Sequence, residues 1–335
     1  MNTFGTHFRV SIFGESHGEA IGITIDNCPP GIALSTSTFH SDLNRRKSGA
    51  KGTTPRIEKD LPKIISGVFN GFTTGAPITI LFENQNTISK DYSNLVETPR
   101  PSHADLTAKV KFNGYNDYRG GGHFSGRLTL PLVAAGVVAK QICKELKIHA
   151  FLEEAGGNAN IEEAIDHAVA NHYSIGGIVK CEVDGLPIGL GEPFFDSVES
   201  LISHIIFAIP ATKGIAFGAG FEASKSTGQQ NNDAYINDQG KTATNNEGGI
   251  NGGITNGNRL YFRVAVKPTS SISTPQKTIN LKTKEVTTLE IKGRHDACIA
   301  LRVPVVVEAA TAIVLADLLL RNYSAPPTDP NISIH

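Results

Sequence analysis

Short apolar runs that alternate with polar residues, punctuated by glycine, open the chain. His7-Phe8-Arg9-Val10-Ser11-Ile12-Phe13 and Ile21-Gly22-Ile23-Thr24-Ile25 repeat with period two. That is the spacing of a half-buried strand, and it predicts two strands around a tight Gly14–Gly18 loop. β-Branched runs at Ile64–Phe69 and Ile78–Phe82, bounded by Gly and Pro, predict further strands. Residues 35–48 read as a helix running from a Ser/Thr-rich start to a basic end at Arg45, Arg46 and Lys47, where the negative end of the helix dipole favours cations. Arg127–Leu146 places Leu128, Leu132, Val133, Ala135, Val138, Ile142 and Leu146 so densely that a helix there must be buried on most of its circumference. Asp196-Ser197-Val198-Glu199 has the form of a capping box and starts a helix that stops before Pro210.

Residues 223–258 break the pattern. This Ser/Gln/Asn/Gly stretch has too few apolar side chains to offset the entropy of ordering itself, and it predicts a long polar loop, functional or disordered. A weak internal echo links Gly122–Arg127, which leads to an apolar helix containing Pro131, with Arg294–Arg302, which leads to one containing Pro304. Two apolar helices after polar loops often look alike by accident, so the prediction is one mixed α and β unit over residues 1–335.

Charge narrows the partners. Lys plus Arg number 31 against 32 Asp plus Glu, a net charge of -1, so there is no general attraction to nucleic acid or to an anionic membrane, and any anion site must be local. Cys28, Cys143, Cys181 and Cys298 are far apart and show no CxxC spacing. They read as reduced thiols of a cytoplasmic protein, with neither a disulfide framework nor a metal site. The N-terminal stretch is interrupted by polar residues too early for a signal peptide. The longest uncharged apolar run, Leu128–Ala139, falls short of the roughly 20 residues a membrane span needs.

Candidate chemistry gathers in short polar motifs. His17 lies in GESHG, His103 in RPSHAD, and His295 beside Asp296 in GRHDAC. One histidine alone is more often a surface or core residue, but three in loop-like settings next to Gly, Pro or Arg suit proton transfer near neutral pH. Arg45, Arg46, Lys47, Lys51 and Arg56 concentrate positive charge, and Arg100, Arg119, Arg127, Arg294 and Arg302 occur in the histidine-bearing motifs or near them. A solvated basic face is the plain alternative, yet guanidinium forks match carboxylate and phosphate geometry, so the set points to a multiply charged anion. Gly120-Gly121-Gly122 through Ser125 and Arg127 precedes a helix whose free N–H groups suit phosphate. Lys267-Pro268-Thr269-Ser270-Ser271 offers an ammonium and three hydroxyls. No GxxxxGK[ST] motif and no GxGxxG after a strand is present, which removes P-loop and Rossmann readings.

Taken in order, FGESHG, DLNRR, SGVFNGFTTGAPI, RPSHAD, YRGGG, GGINGGITNG, KPTSSI and GRHDACIALRVPVVVEA resemble the motif set of the chorismate synthases over nearly the whole chain. The resemblance implies an α+β fold, a β-α-β sandwich of two antiparallel sheets enclosing core helices, in a homotetramer. It implies a carbon–oxygen lyase that removes phosphate from 5-enolpyruvylshikimate 3-phosphate by anti 1,4-elimination and needs reduced FMN without net oxidation. His17 would then donate a proton to the departing phosphate, His103 would lie at the flavin pyrimidine edge, and Asp296 would help the flavin N5 take the ring proton. Arg45, Arg46, Lys51, Arg127 and Arg302 would hold substrate or a nicotinamide nucleotide. His123, Phe124, Ser125, Ala211, Gly252, Lys267, Pro268, Thr269, Ser270, Ser271 and Arg294 would surround the cofactor. This chain reads GGHFSGRLT where many members read GGRSSARET, so some flavin contacts are expected to pass to backbone atoms. The reductant is left open between NADPH used by the chain itself and a separate flavin reductase. The rival reading is a non-catalytic phosphoanion-binding protein that uses the same arginines.

Overall fold

The computed structural model of the chain describes residues 2–54, 58–85, 95–291 and 296–324. Arg294 and His295 lie outside them.

Period-two alternation builds two antiparallel sheets. In the first, β1 (Thr3–Phe4), β2 (Arg9–Gly14), β3 (Ala20–Asp26), β4 (Lys63–Ser66) and β7 (Ile78–Glu83) are ordered β1-β2-β3-β7-β4. The short strands β5 (Val68–Phe69) and β6 (Phe72–Thr73) form a separate hairpin before β7. Register places Ile21, Ile23 and Ile25 opposite Phe82, Ile80 and Ile78, and all six are fully buried. Each such side chain contributes about 1.5–3 kcal/mol of burial, and a slip of one residue would turn the whole set to solvent.

The second sheet repeats the device. It comprises β8 (Lys147–Ala155), β9 (Gly177–Asp184), β10 (Thr212–Phe217) and β13 (Leu260–Val266), ordered β10-β13-β9-β8. Val179, Cys181 and Val183 face Val264, Phe262 and Leu260. Between β10 and β13 lies a small hairpin of β11 (Ile250–Asn251) and β12 (Ile254–Thr255), and a last one pairs β14 (Gln276–Ile279) with β15 (Val286–Leu289).

Two apolar helices join the sheets. The helices in chain order are α1 (His40–Arg46), α2 (Asp105–Lys111), α3 (Thr129–Ile142), α4 (Ile161–Ala170), α5 (Val198–Ala208), α6 (Gly228–Asn231) and α7 (Val303–Ser324). α3 packs on β2, β3 and β7, α7 packs on β8 and β9, and the two helices pack most extensively on each other. Every residue of α3 from Thr129 to Ala139 is buried. A Cβ on Gly136 would sit 2.2 Å from that of Ala309, so glycine is what lets the two backbones approach.

The internal echo has a structural counterpart. Each helix follows a 3-10 turn bearing an arginine, Gly126–Leu128 with Arg127 and Ile299–Arg302 with Arg302. Pro131 and Pro304 fall in the first helical turns, where a missing N–H costs nothing.

Three details depart from the sequence reading. The cap of α5 is Ser197, whose hydroxyl accepts from the Ser200 N–H, not Asp196, which instead accepts from Arg321 at 2.8 Å. Residues 223–258 are organised by polar side chains: the Asp233 carboxylate accepts from the Thr244 hydroxyl (2.7 Å) and from the N–H groups of Asn246 (2.8 Å) and Glu247 (3.0 Å). Third, the 24-residue stretch Ile299–Asn322 is long and apolar enough to cross a membrane by composition, yet it is mostly buried inside the protein as the core helix. Its two buried carboxylates are both paired. Glu308 accepts from Arg45, Lys140 and the Ala150 N–H, and Asp317 from the N–H groups of Thr6, His7 and Phe8.

Candidate active site

A cavity of about 790 Å³ opens where β1 and β2 meet the N-terminal ends of α3 and α7. Six cationic side chains line it, Arg46, Lys47, Arg100, Arg127, Lys267 and Arg302, against three carboxylates, Glu58, Asp60 and Asp296. Its apolar wall includes Leu128, Leu132, Ile299, Val303 and Val306.

The glycine run is the hinge of the site. Gly120 and Gly121 both take left-handed backbone conformations, φ 59° and 81°. A Cβ on Gly120 would lie 2.4 Å from His17 Cδ2, and one on Gly121 would lie 3.6 Å from His103 Nε2. The two imidazoles therefore rest against consecutive residues of one turn, although they are 86 positions apart in the chain. His17 is only 5% exposed, at the β2–β3 turn, and the Ser16 N–H donates to the Gly122 carbonyl at 3.1 Å. Ser16 and Gly120 line the cavity, whereas the His17 ring stands behind them.

The guanidiniums converge from three elements. Arg46, buried, donates from Nε to Thr129 Oγ1 (2.9 Å) and from Nη2 to the Gly126 carbonyl (2.9 Å). Burial, and then the neighbouring Arg302, pull its pKa down to about 9. Arg127 donates from Nε to Asn84 Oδ1 (2.6 Å) and from Nη1 to Asp60 Oδ1 (3.0 Å). Arg302 donates from Nη2 to the Asp296 carboxylate (2.8 Å), which also accepts from the Thr54 N–H at 3.0 Å. Arg127 Nη2 and Arg302 Nε are buried and have no hydrogen-bond partner among the described residues. A buried, charged donor left unmet costs free energy, so these atoms point to an anionic ligand.

The KPTSS segment also lines the cavity. Lys267 Nζ donates to the Ser102 carbonyl (2.9 Å), and Ser271 Oγ accepts from Arg100 Nη1 (3.1 Å). Burial, with nearby Lys213, lowers the Lys267 pKa. Pro268, Thr269, Ser270, Ala211, His123, Phe124 and Ser125 also line the cavity. The His123 Nδ1–H donates to the Gly14 carbonyl at 2.7 Å, and Ser125 Oγ accepts from the Arg127 N–H at 3.3 Å.

Three other candidates stand elsewhere. Arg45 lies one position before Arg46, about 100° around a helix, and its guanidinium grips Glu308 in a bidentate pair with both bonds at 2.7 Å. Lys51 pairs with Asp166, and Gly252 sits at the exposed tip of the β11–β12 hairpin. None of the three lines the cavity. The sequence reading left out Asp60, Asn84, Thr54, His204 and Asp105. For Asp105 a signal existed, a carboxylate two residues after the histidine of RPSHAD. Asp60 and Asn84 carry none, since only the fold brings them to Arg127.

Burial decides which groups ionise. It pushes the Cys28 thiol to about 11 and those of Cys143 and Cys181 to about 12, so these thiols stay protonated near neutral pH. Burial also raises the Glu308 pKa, but Arg45, Lys140 and the Ala150 N–H outweigh it, and the net shift is downward. A carboxylate whose folded pKa is depressed stabilises the fold above its unfolded value, about 4.3, and that stability is lost as pH falls through the folded pKa. Glu308→Gln should therefore cost about 3 kcal/mol in denaturant unfolding at pH 7. The gap to the wild-type chain should narrow steadily below about pH 4; a gap independent of pH would contradict the ionic role.

Paired antiparallel sheets on a shared helix core, with guanidiniums, the His103 imidazole and the Asp296 carboxylate lining one cavity, fit an α+β enzyme for anionic substrates. Comparison with known proteins narrows this. The chorismate synthase family profile matches residues 8–320. The chain is 61% identical to a chorismate synthase of Chitinophaga pinensis over 96% of its own length and 97% of the relative's. It is 46% identical to one of Dehalococcoides mccartyi, covering 96% and 97%. A crystal structure of a chorismate synthase superposes with a TM-score of 0.73 at 27% identity, covering 96% of this chain and 94% of that one. The chain belongs to the chorismate synthase family, carbon–oxygen lyases acting on phosphates.

Proposed function

We propose that the chain converts 5-enolpyruvylshikimate 3-phosphate to chorismate by anti 1,4-elimination, with reduced FMN in the same cavity. The observation that carries this reading is the pair of unmet donors, Arg127 Nη2 and Arg302 Nε, buried beside a common pocket. Two carboxylates and a phosphate on the substrate give such donors their partners, in the planar geometry that guanidinium favours.

The residues present suit a flavin mononucleotide. A 790 Å³ cavity lies within the range of pockets that enclose cofactor-sized ligands, and its apolar wall suits a flat aromatic ring. Lys267, Thr269, Ser270 and Ser271 offer cationic and hydroxyl donors to a phosphate tail, and Ala211 and Pro268 offer apolar contact. His123, committed to Gly14, and Phe124 would contribute backbone and ring surface instead of the guanidinium common in relatives. When bound, the reduced flavin supplies an electron-rich ring that assists C–O cleavage.

The chain's own groups supply orientation and proton traffic. Arg46, Arg127 and Arg302 clamp the substrate and meet the charge that develops on the leaving phosphate. His17 delivers a proton to that phosphate. Asp296, oriented by Arg302 and Thr54, would assist uptake of the departing ring proton, for which a bound reduced flavin would supply the acceptor. The apolar wall excludes water and strengthens each of these interactions.

Family membership also supports a homotetramer, a cytoplasmic location and one α+β unit, a β-α-β sandwich with α3 and α7 enclosed by the two sheets. A purely anion-binding protein would need the arginines but not two imidazoles seated on adjacent glycines. The test supplies purified chain with chemically reduced FMN and substrate. Phosphate and chorismate should appear in equal amounts, without stoichiometric loss of reductant. Turnover with oxidised FMN alone would overturn the reading. Activity in air with NADPH and FMN as sole additions would assign flavin reduction to this chain, and its absence would assign it to a separate reductase.

A further inference from the structure

Beside the arginine clamp lies a second, smaller network centred on a carboxylate that the functions above do not use. Asp105, the first residue of α2, is largely buried, and its two oxygens are fully engaged. Oδ2 accepts from the Arg100 N–H (3.0 Å) and from Arg100 Nε (2.8 Å). Oδ1 lies 2.7 Å from Arg100 Nη2 and 2.6 Å from His103 Nδ1. The remaining distance in the triangle, Arg100 Nη2 to His103 Nδ1, is 3.1 Å.

Chemistry resolves the ambiguity in that triangle. Arginine is always a donor, so Nη2 directs an N–H at Oδ1. A bare Nδ1 lone pair at 2.6 Å from an ionised oxygen would be repelled, whereas an Nδ1–H makes a charge-assisted bond at that length. Asp105 is ionised: burial raises its pKa, but Arg100 and His103 outweigh burial and hold it well below the usual carboxylate range. Arg100 Nη2 also reaches Nδ1 in hydrogen-bond geometry, which in the other tautomer would make Nδ1 its acceptor; the shorter contact to the ionised Oδ1 favours Nδ1–H.

We propose that Asp105 is a positioning residue that fixes His103 as the Nδ1–H tautomer and aims its Nε2, unprotonated in the neutral ring, across Gly121 into the cavity. The rest of the network suits that role. Ser102 takes a left-handed conformation, φ 57°, and its carbonyl is held by Lys267. Arg100 Nη1 reaches Ser271, so the KPTSS segment braces at two points the loop that carries the imidazole. Gly121 has no Cβ, and any side chain there would meet the Cε1–Nε2 edge that the dyad turns inward. An orienting carboxylate of this kind matters because the wrong tautomer presents a proton where a lone pair is needed.

This inference rests on reading His103 as a proton-handling group of the lyase, and its test separates the two. The full chain, labelled with 15N-histidine, is studied by solid-state NMR at a pH where the ring is neutral, with the His103 signal assigned by its loss in His103→Gln. The wild-type chain should show Nδ1 protonated and Nε2 bare; Nε2 protonated would overturn the proposal without reference to any variant. In Asp105→Asn the amide can donate to Nδ1, so the signal should switch to the Nε2–H form. In the same variant kcat should fall by about 10²-fold or more, with the KM for substrate changed less than about threefold. Asp105→Glu should recover part of kcat. A fall in kcat with an unchanged tautomer would also reject the role, leaving Asp105 as a brace for Arg100 alone. Absence of turnover by the wild-type chain would sink the lyase reading and leave the NMR result standing.

Discussion

His17→Ala should lower the rate of phosphate release by at least about 10²-fold, the contribution expected of a general acid. The expectation follows from the role that the family resemblance gives this histidine, whose ring is held directly behind Ser16 and Gly120 of the cavity lining. The ring is held at a turn between two strands of the first sheet, and the Ser16 N–H bond to Gly122 stitches that turn to the glycine run. Its Cδ2–Nε2 edge lies against Gly120, with Asp117 close enough that the two groups interact electrostatically. Rapid-quench measurement of a single turnover isolates the chemical step from product release. A matched change removes no ionisable group: Gly120→Ala would bring a methyl to 2.4 Å from the ring and force a non-glycine residue into φ 59°. That variant should lose turnover through displacement of the imidazole, while His17→Ala should lose it through loss of the proton. If both bind substrate normally but His17→Ala turns over within threefold of the wild-type rate, the proton comes from elsewhere.

The strands and core helices were legible because their signals are local. Ile21, Ile23 and Ile25 alternate within five residues, and the apolar density of α3 needs no knowledge of its neighbours. α7 was harder to read as a continuous buried helix because Glu308 and Asp317 interrupt its apolar run. Their compensation comes from Arg45, Lys140 and the N–H groups of residues 6–8, none of them adjacent in sequence.

The same distinction runs through the site. His17, His103 and Asp296 each announce themselves by a short motif, and so does the glycine run that receives two of them. Nothing local separates Arg45 from Arg46. Their opposite fates depend on which side of α1 meets α3 and which meets Glu308 of α7. Asp60 joins the site only because Arg127 reaches it across 67 positions. The polar loop at 223–258 misled for a related reason: propensity counts apolar side chains, whereas this segment is ordered by a carboxylate that accepts three bonds.

Arg127→Ala should raise the substrate concentration needed for half-maximal rate by about 10²-fold, equivalent to about 2.8 kcal/mol at 1.4 kcal/mol per decade. Arg127 lines the cavity and is fixed at two points, Nε on Asn84 and Nη1 on Asp60, which leaves Nη2 buried and without a partner among the described residues. Because the side chain is already immobilised, little rotamer entropy remains to be lost when an anion arrives. Truncation removes that donor and also leaves Asp60, among the described residues, with the longer 3.8 Å contact to Arg46, so a carboxylate would face the incoming anion less fully neutralised. Arg127→Lys should not restore affinity, since an ammonium cannot satisfy Asn84, Asp60 and the ligand from one planar fork. The double variant Arg127→Ala/Asp60→Asn distinguishes the two effects. If repulsion from Asp60 contributes, it should bind substrate more tightly than Arg127→Ala alone, as measured by calorimetric titration with the flavin present. Equal affinities would assign the whole loss to the missing donor.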